Sequence, residues 1–223
     1  YDVAADATLK TERTYVYTTV PAAVAGAALA EFKTVTVTGT VDIESNVTVP
    51  AGMTLKIEGA TVTIKEDIEV DIEADGTTFA VLNNTGKLVV DGKLVIDDVT
   101  KSKKGSGTIE SEVVVKSGNT EIYTTLTWAM ADVGTEEATI TLGGPTFIKK
   151  NTVIPENITI DTNGNNFTVQ DAELTIDGEL YLNGGTYTVT DNGKVIVNGC
   201  ISKDTKMTFN GKEYPAGLYF SID

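Results

Sequence analysis

The sequence predicts an all-β protein built from two tandem, similar β-solenoid or β-arch units, with one short alanine-rich helix. Apolar and polar residues alternate over most of the chain, which is the period of a half-buried strand. Corners rich in Gly, Asn and Asp interrupt the alternation every few residues. The second half also repeats the pattern of the first, and an internal repeat of this length indicates stacked, similar units.

Residues 46–64 show the pattern most clearly. They predict a short strand, a Pro-Ala-Gly corner, a second strand, a Glu-Gly corner and a third strand. The alternation places the apolar side chains of this stretch on one face: Val47, Val49, Met53, Leu55, Ile57, Val62 and Ile64. We expect that face to be the core, with threonine and lysine outside.

The elements before and after this stretch follow from the same reasoning. Residues 13–20 predict a strand, and residues 21–32 a helix, because proline suits a first helical position and alanine is the best helix former. Residues 99–107 are the most linker-like segment. Further strands are predicted at 34–38, 41–43, 68–72, 79–82, 87–90 and 93–96.

The repeat divides the chain into a first β-unit, residues 1–105, and a second, residues 106–223. Tyr17-Thr18-Thr19-Val20 returns as Tyr123-Thr124-Thr125-Leu126, and residues 34–37 return as 139–142, an offset of 105 (139 − 34). Residues 87–96 match residues 173–182 at an offset of 86 (173 − 87), which predicts an insertion of about 19 residues (105 − 86) around residues 65–86.

Two architectures suit such units. In a β-solenoid each strand stacks on the strand one turn earlier, whereas in an antiparallel β-sandwich consecutive strands pair as hairpins. Asp91-Gly92 and Asp177-Gly178 have the composition of two-residue hairpin turns. The Pro-Ala-Gly corner favours the solenoid, and we adopt that interpretation.

Composition excludes several functions. The net charge of −15 disfavours nucleic acid, whose phosphates need clustered Lys and Arg. The chain has no histidine, which removes the commonest general base and imidazole metal ligands, so we expect no enzyme. No apolar run reaches the roughly 18 residues of a membrane span. The first residue is Tyr1 rather than Met, which fits a processed, secreted protein.

A calcium loop is the candidate metal site. Asp161, Asn163 and Asn165 alternate like the oxygen ligands of such a loop, although the sixth position is Asn rather than Gly. The alternative is a solvated acidic face with Asn/Gly turns. No other cofactor is expected. Calcium would suit an alternative function, a surface adhesin or carbohydrate-binding β-domain.

A third function, a β-helical polysaccharide lyase or hydrolase, depends on Glu69, Asp71 and Glu73. These lie on one predicted strand face, where paired carboxylates act in glycoside hydrolysis. Lysines and arginines that would bind an acidic sugar are few and scattered, so the enzyme is the least favoured of the three functions.

Two kinds of covalent modification are predicted. Asn-X-Thr sequons mark possible N-glycosylation at Asn46, Asn83, Asn157 and Asn166. Cys200 is the single cysteine, so it is either a buried thiol or a cross-link between subunits.

Residues 47–57 (VTVPAGMTLKI), with their counterpart 153–160 (VIPENITI), resemble the repeats of secreted β-helical surface proteins. Together with the two units, the absence of histidine, the threonine richness and the lone cysteine, they resemble the tubular sheath proteins of methanogenic archaea. The resemblance implies β-rich subunits that join edge to edge around the cell.

Few prolines or lysines block the strands, and such edges are prone to pair with neighbours. The preferred function is therefore an extracellular structural protein that self-assembles through β-edge pairing into a cell-surface sheath, layer or filament. Its partner is further copies of itself.

Overall fold

The computed structural model describes residues 15–30, 33–190 and 192–203 in full, and the backbone of residues 207–209, 212–214 and 217–220. Over these residues the chain is all-β and forms a β-solenoid of about eight turns with three short helices. The predicted fold class is confirmed.

The first unit opens with a helix and continues as three turns of three strands. The helix is α1 (Val20–Leu29). The turns consist of β1 (Thr34–Val37), β2 (Val41–Ile43) and β3 (Val47–Val49); β4 (Thr54–Ile57), β5 (Thr61–Ile64) and β6 (Glu69–Ile72); and β9 (Val81–Asn84), β10 (Lys87–Val90) and β11 (Lys93–Ile96). A small hairpin projects between the second and third turns, formed by β7 (Ala74–Asp75) and β8 (Thr78–Phe79).

A partial turn and a hairpin close the first unit. The elements are α2 (Val99–Ser102), β12 (Lys103–Lys104), β13 (Thr108–Ser111), β14 (Val113–Ser117) and β15 (Thr120–Thr124). β12 pairs with β9, β13 pairs with β10, and β15 pairs antiparallel with β11. Each of the three faces therefore carries one further strand after the third turn.

The second unit repeats the arrangement. It consists of α3 (Leu126–Val133), then β16 (Ala138–Thr141), β17 (Thr146–Ile148) and β18 (Thr152–Ile154); β19 (Ile158–Asp161), β20 (Phe167–Val169) and β21 (Glu173–Ile176); and β22 (Glu179–Leu182), β23 (Tyr187–Val189) and β24 (Lys194–Val197). It ends with β25 (Cys200–Lys203), β26 (Met207–Phe209), β27 (Lys212–Tyr214) and β28 (Gly217–Phe220). β25 pairs parallel with β22 and antiparallel with β28.

Parallel register stacks like side chains on one another along each face. In the first unit Val35 lies opposite Leu55, which lies opposite Leu82, and all three are buried. Every predicted inward residue of 46–64 is likewise buried, from Met53 at 5% exposure to Val49 at 0%. Burying such an aliphatic column contributes about 1.5–3 kcal/mol per side chain before the entropy cost of folding.

The two units have separate hydrophobic cores, each covered at its start by a helix. Val20, Val24 and Ala27 of α1 lie in the first core. Leu126 and Met130 of α3 lie in the second. A covering element of this kind is what the terminal turn of a solenoid requires. Both helices start at a threonine whose hydroxyl accepts a backbone N–H, from Ala22 at Thr19 and from Trp128 at Thr125.

Four local predictions were wrong. Residues 15–19 do not form a strand, and Val20 already begins α1. Asp91-Gly92 and Asp177-Gly178 are not hairpin turns, because the strands on either side of each belong to different sheets. The linker-like residues 99–107 contain α2 and β12, which pack into the fourth turn of the first unit.

The predicted 19-residue insertion is in fact the short hairpin β7–β8. Counted turn by turn, β9 corresponds to β22, and Val81 and Glu179 are 98 residues apart (179 − 81) rather than 86. The match at offset 86 aligns the corner between β10 and β11 with the corner between β21 and β22. These two corners have the same form but join different pairs of faces. Gly92 and Gly178 explain it: a Cβ at either would meet two backbone carbonyl oxygens of the previous turn at 2.3 Å.

Candidate functional site

The joint between the two units is built from main-chain hydrogen bonds and polar side chains. Its central element is β14, which pairs antiparallel with β15 on one side. On the other side it meets the first turn of the second unit. Gly143 N donates to Val114 O at 2.6 Å, Phe147 N donates to Glu112 O at 3.1 Å, and Val115 bridges Leu142. The predicted division at residues 105/106 falls between β12 and β13, and the first unit's sheets continue to Thr124.

The hairpin β14–β15 is fixed to the first unit by β15. Its register places Leu94 opposite Tyr123, Val95 opposite Ile122 and Ile96 opposite Glu121. The Thr124 hydroxyl also donates to Gly92 O at 3.0 Å. One face of the hairpin therefore completes the first unit, while the outer strand begins the next.

A polar network under this hairpin has a buried centre, formed by Glu121 and Tyr123. The Tyr123 hydroxyl donates to Glu121 Oε2 at 2.6 Å, and Lys103 Nζ lies 3.2 Å from the same oxygen and also contacts the Tyr123 hydroxyl. Lys116 Nζ lies 3.2 Å from Glu121 Oε1. Burial by itself raises the pKa of Glu121, but the Tyr123 hydroxyl and the two lysines more than offset it, so the pKa lies below its ordinary value.

Charged side chains also join the first unit to α3 of the second. Lys93 Nζ lies 2.8 Å from Asp132 and 3.5 Å from Glu69, and 5.9 Å from the ring centroid of Trp128. Burial by itself lowers the pKa of Lys93. The carboxylates of Asp132 and Glu69 raise the pKa by more than burial lowers it, so the net shift is upward. Lys150 of the second unit pairs with Glu66 of the first at an exposed position.

Glu112 supports the start of α3 from the same joint. Its Oε2 accepts the Leu126 backbone N–H at 3.1 Å. Burial raises the pKa of the Glu112 carboxyl. A carboxylate at a helix N-terminus satisfies a backbone donor that has no partner within the helix.

The predicted acidic strand face lies beside this joint, on β6. Glu69 and Asp71 are half-buried on it, while Glu73 is exposed. Burial and then the neighbouring Glu69 raise the pKa of Asp71 to about 6. Lys93 lies within this group, so the face is part of the contact with α3.

The predicted calcium residues come together at the corner between β19 and β20, where their side chains bond to the protein itself. Asp161 Oδ1 accepts the Asn163 backbone N–H at 2.8 Å. The amide nitrogens of Asn163 and Asn165 both donate to Leu142 O one turn earlier, at 3.2 and 3.0 Å. Within the described residues no group of three or more Cys, Asp or Glu side chains is placed to hold a metal ion. Calcium binding remains a prediction.

The four sequon asparagines lie at corners or strand ends, and they differ in their contacts. Asn46 and Asn166 are exposed. The side-chain Oδ1 atom of Asn46 accepts the backbone N–H of Glu69, and that of Asn166 accepts the backbone N–H of Thr186. Asn157 is half-buried, and its amide nitrogen donates to two carbonyl oxygens of the loop after α3. Asn83 is half-buried on β9. Sequence reasoning had no signal for the corner role of Asn46, which Asn151 repeats toward Glu173.

Cys200 is a half-buried free thiol at the start of β25. Burial and then the nearby Glu179 carboxylate raise the pKa of the thiol. The cross-link between subunits stays a prediction.

A further accessible region lies at the opposite end of the chain, beside α1. A groove of about 530 Å³ is bounded by residues 15–20 on one side and by residues 34–39 on the other. Val16 is 91% exposed and Tyr17 is 42% exposed. The groove was not predicted from the sequence, because residues 13–20 predicted an ordinary strand.

Comparison with known proteins identifies one family. The model of the TamB C-terminal domain matches residues 25–209, from within α1 to β26. No curated protein and no solved structure matches the chain. The TamB C-terminal domain family is linked to the cell envelope and outer membrane, and it is not an enzyme family. None of the helices among the described residues has the length and apolar character of a membrane span.

Proposed function

We propose that this chain, which belongs to the TamB C-terminal domain family because the match covers most of its length, is an extracellular structural protein of the cell surface. It self-assembles through the pairing of strand edges into a sheath, layer or filament. Its role is mechanical, and its partner is further copies of itself.

The observation that carries this proposal is the joint at β14. There the end of one β-unit binds the start of the next through main-chain hydrogen bonds, in the manner of neighbouring strands. Repeat units that contact only their neighbours extend by adding the same contact again. The chain therefore already contains one example of the contact that an assembly needs.

The interior of the first unit supports a structural role. Its side chains fill the space between the three faces and leave a cavity of about 10 Å³, lined by aliphatic side chains only. A space of this size is at the lower limit for one water molecule. The stacked strands therefore enclose a packed core rather than a ligand site.

The outer surface suits a soluble subunit that meets its partners at particular edges. A net charge of −15 keeps copies apart in non-specific encounters. The third-turn strand β24 has one strand partner among the described residues, on the side of the second turn. Unpaired edges of this kind are templates for another chain.

The resemblance to the tubular sheath proteins of methanogenic archaea gives the most specific form of the proposal, a tube built from stacked hoops. Negative-stain electron microscopy of the purified protein, with sedimentation before and after detergent, tests it. We expect regular polymers that persist in detergent, and tubes would favour the sheath over a flat layer. A monodisperse monomer at every concentration would contradict self-assembly.

The same assay tests Cys200. We expect Cys200→Ser, or a reducing agent, to weaken the polymers if the thiol cross-links subunits. Polymers of unchanged yield and detergent resistance would exclude a cross-link while leaving edge pairing intact.

A further inference from the structure

Two strand positions beyond the third turn that are occupied in the first unit have no paired strand among the described residues of the second, those beyond β23 and β24. In the first unit the third-turn strands β9, β10 and β11 are each followed by a further strand, which for β11 is β15. In the second unit β22 is followed by β25, but β24 pairs with β21 alone among the described residues. β24 is the third-turn counterpart of β11.

The side chains of the two strands differ accordingly in burial. Leu94 and Ile96 of β11 are 1% and 0% exposed, whereas Val195 and Val197 of β24 are only partly buried. The backbone N–H groups of Lys194 and Asn198 donate to the preceding turn. Because successive peptide groups of a strand point to opposite edges, those of Val195 and Val197 point to the open edge.

The complementary element lies at the other end of the chain. Residues 14–20 (TYVYTTV) correspond without a gap to residues 120–126 (TEIYTTL). The latter segment contains β15. Both segments lead into a helix that a threonine caps. Tyr123 is 5% exposed because β11 and the first core cover it, while its counterpart Tyr17 is 42% exposed and Val16 is 91% exposed.

The groove beside α1 corresponds to the second half of the same joint. In the second unit, β14 lies between β15 and the residues around Leu142 and Phe147. The groove lies between the counterparts of those two elements, namely residues 15–20 and residues 34–39. The first unit thus presents the space that β14 fills in the second unit.

We propose that residues 15–17 of one copy pair antiparallel with β24 of a second copy, and that this pair repeats the joint inside the chain. The register follows from β11 and β15: Val195 lies opposite Tyr17, and Ile196 lies opposite Val16. This inference rests on the proposed self-assembly and specifies its contact. Copies then join head to tail, with the second unit of one copy followed by the first unit of the next.

A second copy of this chain is the occupant because the chain carries both halves of the contact. Among the described residues, the open edge of β24 is in the second unit and the exposed segment is in the first. The template is the chain's own joint, in which the equivalent strands already pair in this direction and register. A contact between unlike surfaces of identical copies propagates as a linear assembly.

Cysteine cross-linking tests the register. In a Cys200→Ser background, Val16→Cys and Ile196→Cys are combined and the assembled protein is oxidised. Directly opposite residues of an antiparallel pair have Cβ atoms about 4.5–5.5 Å apart, close to disulfide range. We expect a ladder of covalent multimers on non-reducing gels.

The matched control combines Val16→Cys with Lys194→Cys, which moves one partner two residues along β24 to a separation of about 7–8 Å. We expect at least tenfold less cross-linking. Equal cross-linking of both pairs, or none in polymers that electron microscopy shows intact, would overturn this joint and leave self-assembly standing. Absence of polymers in the wild-type protein would overturn both.

A charge substitution tests the joint without cross-linking. Val16→Asp places a carboxylate opposite Ile196, and we expect the sedimenting fraction to fall at least tenfold. Val153→Asp is the control, because Val153 is a half-exposed valine on β18, away from both halves of the joint. Monomer melting temperatures should be unchanged for Val16→Asp. Wild-type polymer yield in Val16→Asp would contradict the joint. Binding of a different protein at this surface, without binding of a second copy of this chain, would contradict it too.

Discussion

The two β-units share one plan but end differently. Each has a capping helix, three turns and three faces, yet among the described residues only the first has a strand beyond its third turn on the face of β11. That strand, β15, belongs to the hairpin that also starts the second unit through β14. The last turn of the first unit is therefore completed by the hairpin that begins the second unit. The unit boundary is thus a shared hairpin rather than a linker.

The ends also differ in chemistry. The first unit ends over the network of Lys103, Glu121 and Tyr123, in which Glu121 is 8% exposed. At the start of the first unit, the residue corresponding to Glu121 is Tyr15, and its neighbour Val16 is apolar and exposed. The permanent joint inside the chain is therefore reinforced by charge pairing. The joint proposed between copies would depend on apolar contacts and strand pairing.

The largest expected effect tests whether the two units stack equally tightly. Gly92→Ala and Gly178→Ala each place a Cβ 2.3 Å from two backbone carbonyl oxygens of the previous turn. We expect each to lower the free energy of unfolding by about 3 kcal/mol, because backbone atoms must shift. Chemical denaturation measures this change.

Gly39→Ala is the control for both glycines, since a Cβ there meets no atom within 4 Å. We expect a change within about 0.5 kcal/mol. If Gly178→Ala were as mild as the control while Gly92→Ala was severe, the turns of the second unit would be looser than those of the first.

A second test removes the charge that anchors the shared hairpin. Glu121→Ala leaves Lys103, Lys116 and Tyr123 without their acceptor, and we expect a loss of about 2–3 kcal/mol, with allowance for the partly exposed lysines. Glu110→Ala is the control, because its pair with Lys87 is about half exposed and should contribute less than about 1 kcal/mol.

The pH dependence of this effect has a defined sign. The folded-state pKa of Glu121 is lowered, so its contribution is present above the unfolded-state pKa and is lost as the pH falls through the folded-state value. The difference between wild type and Glu121→Ala should be constant from pH 8 to pH 6 and shrink below about pH 4.5. A difference that grew on acidification would contradict the network.

The smallest expected effect concerns the acidic face beside the joint. The pKa of Asp71 is raised from 3.8 to about 6, so ionisation destabilises the folded state, and this cost develops as the pH rises from about 4 to about 7. Asp71→Asn should stabilise the protein by about 1 kcal/mol at pH 8, after allowance for solvent screening, and by nearly nothing at pH 4. Thermal melts at the two pH values measure it. Equal effects at both would show that charge is not the cause.

Most of the fold was predictable because one rule operates at every turn. Val47, Met53 and Leu55 point inward because alternation fixes the face of each residue once the strand exists. The helix predicted at residues 21–32 also followed from composition, and it forms over Val20–Leu29. The hairpin interpretation of Asp91-Gly92 and Asp177-Gly178 failed because a tight corner between sheets and a turn within one sheet use the same residue types.

The candidate site was harder to predict. Tyr17 and Tyr123 occur in nearly identical segments, and one is exposed while the other is buried. Tyr123 is covered by β11 and the first core, which are distant from it in the sequence, and no local pattern records such a contact. Asp161, Asn163 and Asn165 illustrate the reverse case: their spacing resembles a cation loop, whereas their hydrogen bonds close a corner and tie it to Leu142.

The sequence by itself determined the strands, the inward face of each, the duplication and the acidic surface, because these depend on residues close together along the chain. Only the tertiary structure decided which strands lie next to one another and where a strand is lacking. Stacking brings β11 and β15 together across intervening elements, and leaves the open edge of β24 on the face where the first unit has its joining hairpin. An unpaired edge depends on which strands become neighbours in space, and that is set by the fold as a whole.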